Sequence, residues 1–95
     1  PYKACILPLV KKYHSEKAME IYKKLSKSFA TTYDESGSIG KRYRREDALG
    51  TPYCITIDDE TINNGTVTIR NRDTMKQEII KIEDIENYIN ERTKF

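Results

Sequence analysis

Apolar positions change their spacing several times along the chain, and each change marks an element. Ala4-Cys5-Ile6-Leu7-Pro8-Leu9-Val10 is a nearly unbroken apolar run. It predicts a strand covered on both faces, with Pro8 near its end where one ladder donor can be spared. From Ser15, read as an N-cap, Ala18, Met19, Tyr22, Leu25 and Phe29 recur at helical spacing while Lys17, Lys23, Lys24 and Lys27 take the outer positions. Phe29 to Tyr33 can form a short second strand. Strand, helix and strand at this spacing imply a right-handed crossover between parallel strands.

Ile39, Tyr43 and Leu49 put a thin apolar stripe on a second helix, which starts near Ser38 and stops at Gly50 and Pro52. Tyr53-Cys54-Ile55-Thr56-Ile57 then reads as a strand, and Thr66-Val67-Thr68-Ile69-Arg70 alternates as a half-exposed one antiparallel to it. The residues between them, rich in Asp and Asn, predict a loop. After a turn at Asn71-Arg72-Asp73-Thr74, Glu78-Ile79-Ile80 can form a last strand, and Ile85, Tyr88 and Ile89 define a C-terminal helix. The expected fold is therefore α/β: a mixed sheet of about five strands flanked by three helices, one domain over residues 1–95.

Length and composition narrow this further. The 95 residues suffice for one modest core but not for a separate catalytic domain. Hydrophobic residues at 37% and charged residues at 34% fit a soluble two-layer domain and argue against disorder. No apolar run approaches the roughly 18 residues of a membrane span, and the opening seven residues are too short and wrongly flanked for a signal peptide. The chain opens on Pro1 and runs straight into a strand, as expected of a piece of a longer protein. Cys5 and Cys54 lie in strand-like runs without zinc or redox spacing and are expected to be reduced and buried. A net charge of +2 announces no nucleic-acid binder by itself, so the placement of charge has to decide.

Most candidate chemistry dissolves on inspection. His14 is the only histidine; Ser15 and Glu16 adjoin it in sequence, which does not make a triad, and it is expected in a loop or at a helix start. Gly37 and Gly40 lie near a helix start without a Walker lysine or a GxGxxG pattern. Asp58, Asp59 and Glu60 lack calcium-loop spacing and read as a solvated turn.

The segment from Asp34 to Arg45 is different. On a helix from Ile39, steps of about 100° place Lys41, Arg44 and Arg45 opposite the Ile39/Tyr43 stripe, with Arg42 at its edge. Four cations within five residues repel one another unless phosphates relieve them, although a solvated helix face has the same composition. Asp34 and Glu35 border this patch with acceptors, so it can hold a backbone and also read a base edge.

Three segments carry a resemblance: Asp34-Glu35-Ser36-Gly37-Ser38-Ile39-Gly40-Lys41-Arg42-Tyr43-Arg44-Arg45, Gly50-Thr51-Pro52-Tyr53-Cys54-Ile55-Thr56-Ile57-Asp58 and Thr66-Val67-Thr68-Ile69-Arg70-Asn71-Arg72-Asp73-Thr74-Met75. They resemble three consecutive motifs of the anticodon-binding domain of glycyl-tRNA synthetases, and Ile6-Leu7-Pro8-Leu9 fits as well. The likeness covers essentially the whole chain; threonyl, prolyl and histidyl synthetases share only its sparser framework. It implies the anticodon-binding fold of class II synthetases. It also implies a usually homodimeric parent that joins glycine to tRNA(Gly) with ATP and Mg2+ in a catalytic domain this chain lacks, and a domain that needs no cofactor and binds the anticodon loop. The compartment is not given by the resemblance, and cytoplasm is the default; the self-contained core pattern predicts a monomeric domain. Asn71 departs from the family's acid, and Ala48-Leu49 from its Glu-Ile pair, so salt bridges made by those acids are not carried over.

Glycine codons are GGN, so every acceptor tRNA carries cytosine at its second and third anticodon positions. A carboxylate facing the cytosine amine, with an arginine facing the ring acceptors, is the natural reader. The expected tRNA-binding residues are Asp34, Glu35, Lys41, Arg42, Arg44 and Arg45. The competing reading of the two acids is that they cap the second helix or pair with Arg42. Tyr33 or Tyr43 could stack on a base, but Tyr43 shares the apolar stripe and is expected in the core. Two rivals remain: the same fold used as a protein-interaction module, which needs an apolar contact surface, and a small enzyme, for which no catalytic constellation is visible.

Overall fold

The computed structural model describes residues 2–92. In chain order it contains β1 (Ala4–Pro8), α1 (Lys11–Leu25), β2 (Thr31–Tyr33), α2 (Ile39–Leu49), β3 (Tyr53–Ile57), α3 (Asp59–Asn64), β4 (Thr66–Asn71), β5 (Gln77–Lys81), a 3-10 turn (Ile82–Asp84) and α4 (Ile85–Arg92). One sheet holds all five strands in the order β2-β1-β3-β4-β5. β1 runs parallel to both β2 and β3, and β3-β4 and β4-β5 are antiparallel. The expected mixed α/β sheet is thus present, with four α-helices among the described residues where three were expected.

Strand alternation divides the residues of β1 and β3 between two layers. Ala4, Ile6, Tyr53, Ile55 and Ile57 join Val67 and Ile69 under α1 and α4, where Ala18, Ile21, Leu25, Ile85 and Ile89 complete the main core. Each large side chain buried there is worth about 1.5–3 kcal/mol. Cys5, Leu7 and Cys54 point the other way and form a smaller layer against Ile39 and Tyr43 of α2. α2 covers only this part of its face. Toward β5 the face stays open, and Ile79 is 73% exposed there.

Three details differ from the sequence reading. α1 begins at Lys11 rather than after Ser15, because His14 supplies an N-terminal acceptor: its Nδ1 accepts the N–H of Val10 at 3.0 Å. His14 is accordingly a buried residue of the first helical turn, and its Nε2 meets Asp59 Oδ1 at 2.8 Å, tying α1 to α3. The stretch Asp58-Asp59-Glu60 is not a solvated turn but the start of α3. Asp58 accepts the Thr61 N–H at 3.3 Å while Thr61 Oγ1 accepts the Asp58 N–H at 3.1 Å, a reciprocal capping box. Leu49, assigned to the apolar stripe of α2, is 67% exposed.

Candidate nucleic-acid interface

α2 has the boundaries its sequence suggests. Ser38 caps it by accepting the Lys41 N–H at 3.3 Å, and Gly50 ends it at φ +82, a conformation open to glycine. The preceding loop is as tightly defined. The Asp34 N–H donates to Ile6 O at 3.1 Å, the Asp34 carboxylate accepts the Ser36 N–H at 3.0 Å, and Gly37 turns the chain at φ +72. A run of Asp, Glu, Ser and Gly with little to bury is therefore held by hydrogen bonds rather than by packing.

Tyr43 anchors α2 to the sheet: its hydroxyl lies 2.6 Å from Thr56 Oγ1, and its ring packs against the cysteine layer. Beneath it, Cys5 and Cys54 are free, buried and directly paired in register. Burial, reinforced by the nearby Glu46 carboxylate, pushes the Cys54 thiol up to about 12 and that of Cys5 higher still. Both are held as protonated core residues, far from the reactive thiolate.

The four cations of α2 do not behave alike. Lys41 and Arg44 are exposed, and neither head group is engaged in an ion pair or hydrogen bond among the described residues. Arg45 forms a two-pronged pair with Asp34, Nε to Oδ2 at 3.0 Å and Nη2 to Oδ1 at 2.9 Å, and Nη2 also donates to Ser36 O at 2.6 Å. Arg42 lies at the edge of the apolar stripe, as the helical spacing puts it, and is 4% exposed, with its guanidinium bonded to the carbonyls of Gly37 and Pro8. The spacing gives its face but not these partners, because the carbonyls lie in other elements.

Neither acid caps α2 or pairs with Arg42. Glu35 accepts the Tyr33 hydroxyl at 2.7 Å and lies 3.5 Å from Lys11 Nζ. Burial, followed by this bond to Glu35, raises the Tyr33 phenol above its ordinary range, so it stays a donor. The Glu35 side chain is 32% exposed and that of Asp34 14%, which makes Glu35 the more accessible carboxylate. Tyr33 is in turn held edge-on to Tyr22 at 5.9 Å.

Two arginines not singled out in the sequence lie past the end of α2, Arg70 buried and Arg72 exposed. Arg70 sits with its guanidinium carbon 4.8 Å from the Tyr43 ring centre and its Nη1 3.4 Å from Asp47, while Arg72 donates to Asp47 O at 3.0 Å. The visible signal was the alternation of Thr66, Thr68 and Arg70, which puts all three on the face of the sheet shared with α2. An open groove of about 570 Å³ beside α1 is lined by Glu16, Glu20, Lys23, Tyr33 and Glu35, among others. Among the described residues no cluster of His, Cys, Asp or Glu is arranged to hold a metal ion, and no helix is long and apolar enough to cross a membrane.

Residues 3–92 match the anticodon binding domain family. The chain belongs to that family. Relatives of this anticodon-binding domain include the glycine-tRNA ligase of Clostridium beijerinckii, 63% identical over 95 residues, and that of Alkaliphilus oremlandii, 52% identical over 95 residues. The domain spans 20% of the length of each of these ligases and is matched along 100% of its own. Among solved structures, the RNA binding domain of threonyl-tRNA synthetase from Cryptosporidium parvum Iowa II superposes with a TM-score of 0.87 at 26% identity, covering 96% of this chain and 23% of that one. The anticodon-binding fold expected from the motifs is therefore the fold present.

Proposed function

We propose that this anticodon-binding domain belongs to a glycine-tRNA ligase and grips the anticodon loop of tRNA(Gly) while a separate catalytic domain uses ATP and Mg2+ to attach glycine. On this reading the parent is a cytoplasmic homodimer and the domain contributes binding, not chemistry. The observation that carries it is the identity of 50–63% to glycine-tRNA ligases along essentially the whole chain. Charge placement supports it. The exposed residues of α2 are Gly40, Lys41, Arg44, Arg45, Ala48 and Leu49, a cationic surface rather than the apolar one a protein-interaction module needs.

Roles follow from which charges are uncommitted and which carboxylate is the more accessible. Lys41 and Arg44 bind backbone phosphates, because their charges are uncommitted. Glu35 accepts the amino hydrogens of a cytosine, and the Asp34–Arg45 pair stands beside it as a second acceptor and donor. The test is a chemical footprint of the full-length ligase on tRNA(Gly), compared with a ligase lacking these 95 residues. Protection of the anticodon loop should disappear with the domain while protection of the acceptor end persists. Anticodon protection that survives the deletion contradicts the proposal.

A further inference from the structure

Arg42 lies among the cations of α2 yet cannot act as they do. It is 4% exposed, and every hydrogen bond it makes is to a backbone carbonyl: Nη1 to Pro8, the last residue of β1, and Nε and Nη2 together to Gly37, at 3.2 and 3.1 Å. No carboxylate lies within ion-pair distance of it among the described residues. A buried cation with no counter-ion is costly unless its donors are fully used, and only a planar guanidinium can chelate one oxygen with two donors while a third reaches another strand.

The loop it holds is the one that presents the two acids. Ser36, Gly37 and Ser38 bury almost nothing, so ordering them costs conformational entropy that packing does not return. Two arginines supply the missing restraint. Arg45 holds Asp34 and Ser36, but its side chain is 46% exposed, and an approaching phosphate competes for it directly. Arg42 holds Gly37 from below, out of reach of solvent and RNA.

We propose that Arg42 is a positioning residue for anticodon recognition. It fastens the 34–38 loop to the end of β1, and so fixes where Glu35 and Asp34 stand, without touching RNA. This rests on the reading of the domain as the anticodon reader of a glycine-tRNA ligase. It adds a division of labour within one basic motif: Lys41 and Arg44 for phosphates, Arg42 for the shape of the reading loop.

The test uses the full-length ligase carrying Arg42→Lys, which keeps the charge but loses the fork, with Arg42→Gln beside it. Three quantities are read: the salt dependence of tRNA binding, the preference for cytosine over uracil at the two anticodon positions in aminoacylation, and amide hydrogen exchange of residues 34–38. Arg42→Lys should bind with an unchanged salt slope, exchange its loop amides faster, and lose cytosine preference by about tenfold, the range of one lost base contact. A slope lower by about one unit with loop exchange unchanged makes Arg42 a phosphate ligand and overturns the inference. Faster loop exchange with the wild-type preference intact overturns it too, since the restraint would then serve stability alone. Hydrogen exchange needs no tRNA, so unchanged exchange in both variants sinks this inference independently. A wild-type ligase indifferent to cytosine sinks instead the functional reading beneath it.

Discussion

Arg45 and Asp34 meet in a two-pronged ion pair, with two guanidinium nitrogens at 2.9–3.0 Å from the carboxylate oxygens. A cation and an acid that both look available in the sequence therefore neutralise each other in the free domain. The Arg45 side chain is 46% exposed, so solvent screening limits the pair to about 1 kcal/mol of stability or less. Asp34→Asn should accordingly change urea unfolding little. It should also free the Arg45 charge for phosphate and steepen the salt dependence by about 0.7–0.9. Filter binding across a salt series checks this; weaker binding with a shallower slope would show that Asp34 does not hold Arg45 back.

Lys41 and Arg44 carry uncommitted charges, and their loss should be felt at the phosphates alone. Lys41→Ala and Arg44→Ala should each weaken tRNA(Gly) and uracil-substituted tRNA equally and lower the salt slope by about 0.7–0.9, leaving thermal unfolding unchanged. A loss confined to the cytosine-bearing tRNA assigns them to base reading instead.

The buried thiols make a prediction about pH. Cys54 rises from its ordinary 9.0 to about 12 on folding. A group whose pKa is higher in the folded state binds more protons there, so its contribution is complete below pH 9 and is lost as pH climbs toward 12. Urea midpoints should fall between pH 9 and 11, and Cys54→Ala should flatten that fall. In the same samples, two thiols should react with Ellman's reagent promptly in denaturant and very slowly without it. Prompt reaction of the folded chain at pH 8 would mean that the cysteine layer under α2 is open.

α3 supplies a prediction on stability. Asp58→Ala removes the acceptor side of a capping box and should cost about 0.5–2 kcal/mol in urea unfolding. A solvated turn at the same place would cost nothing.

How far the sequence could be read depended on how local the deciding contact was. Ser38 and Gly50 act within a few residues of themselves, so both ends of α2 were legible. The apolar runs of β1 and β3 and the alternation of β4 fixed their places in the sheet for the same reason. α3 has six residues, too few for a helical period to show, and its cap was read as loose acid. α1 escaped its true start because the N-terminal acceptor is an imidazole four residues in, not the usual Ser or Asp. At the site, composition identified the basic helix and spacing put Arg42 at the edge of its apolar stripe, but only the fold shows that its guanidinium bonds Gly37 and Pro8. Likewise only the turn at Gly37 brings Asp34 back to Arg45, eleven residues along the chain.

The central claim is that the loop before α2 reads cytosine, with Glu35 as its most accessible acceptor. The direct measurement is aminoacylation efficiency of the full-length ligase, wild type and Glu35→Gln, on tRNA(Gly) with cytosine or uracil at each of the two anticodon positions. The wild type should prefer cytosine, and Glu35→Gln should lose about 1–3 kcal/mol of that preference at one position while still charging the unmodified tRNA. A Glu35→Gln enzyme that keeps the full wild-type preference at both positions would contradict direct readout by this carboxylate.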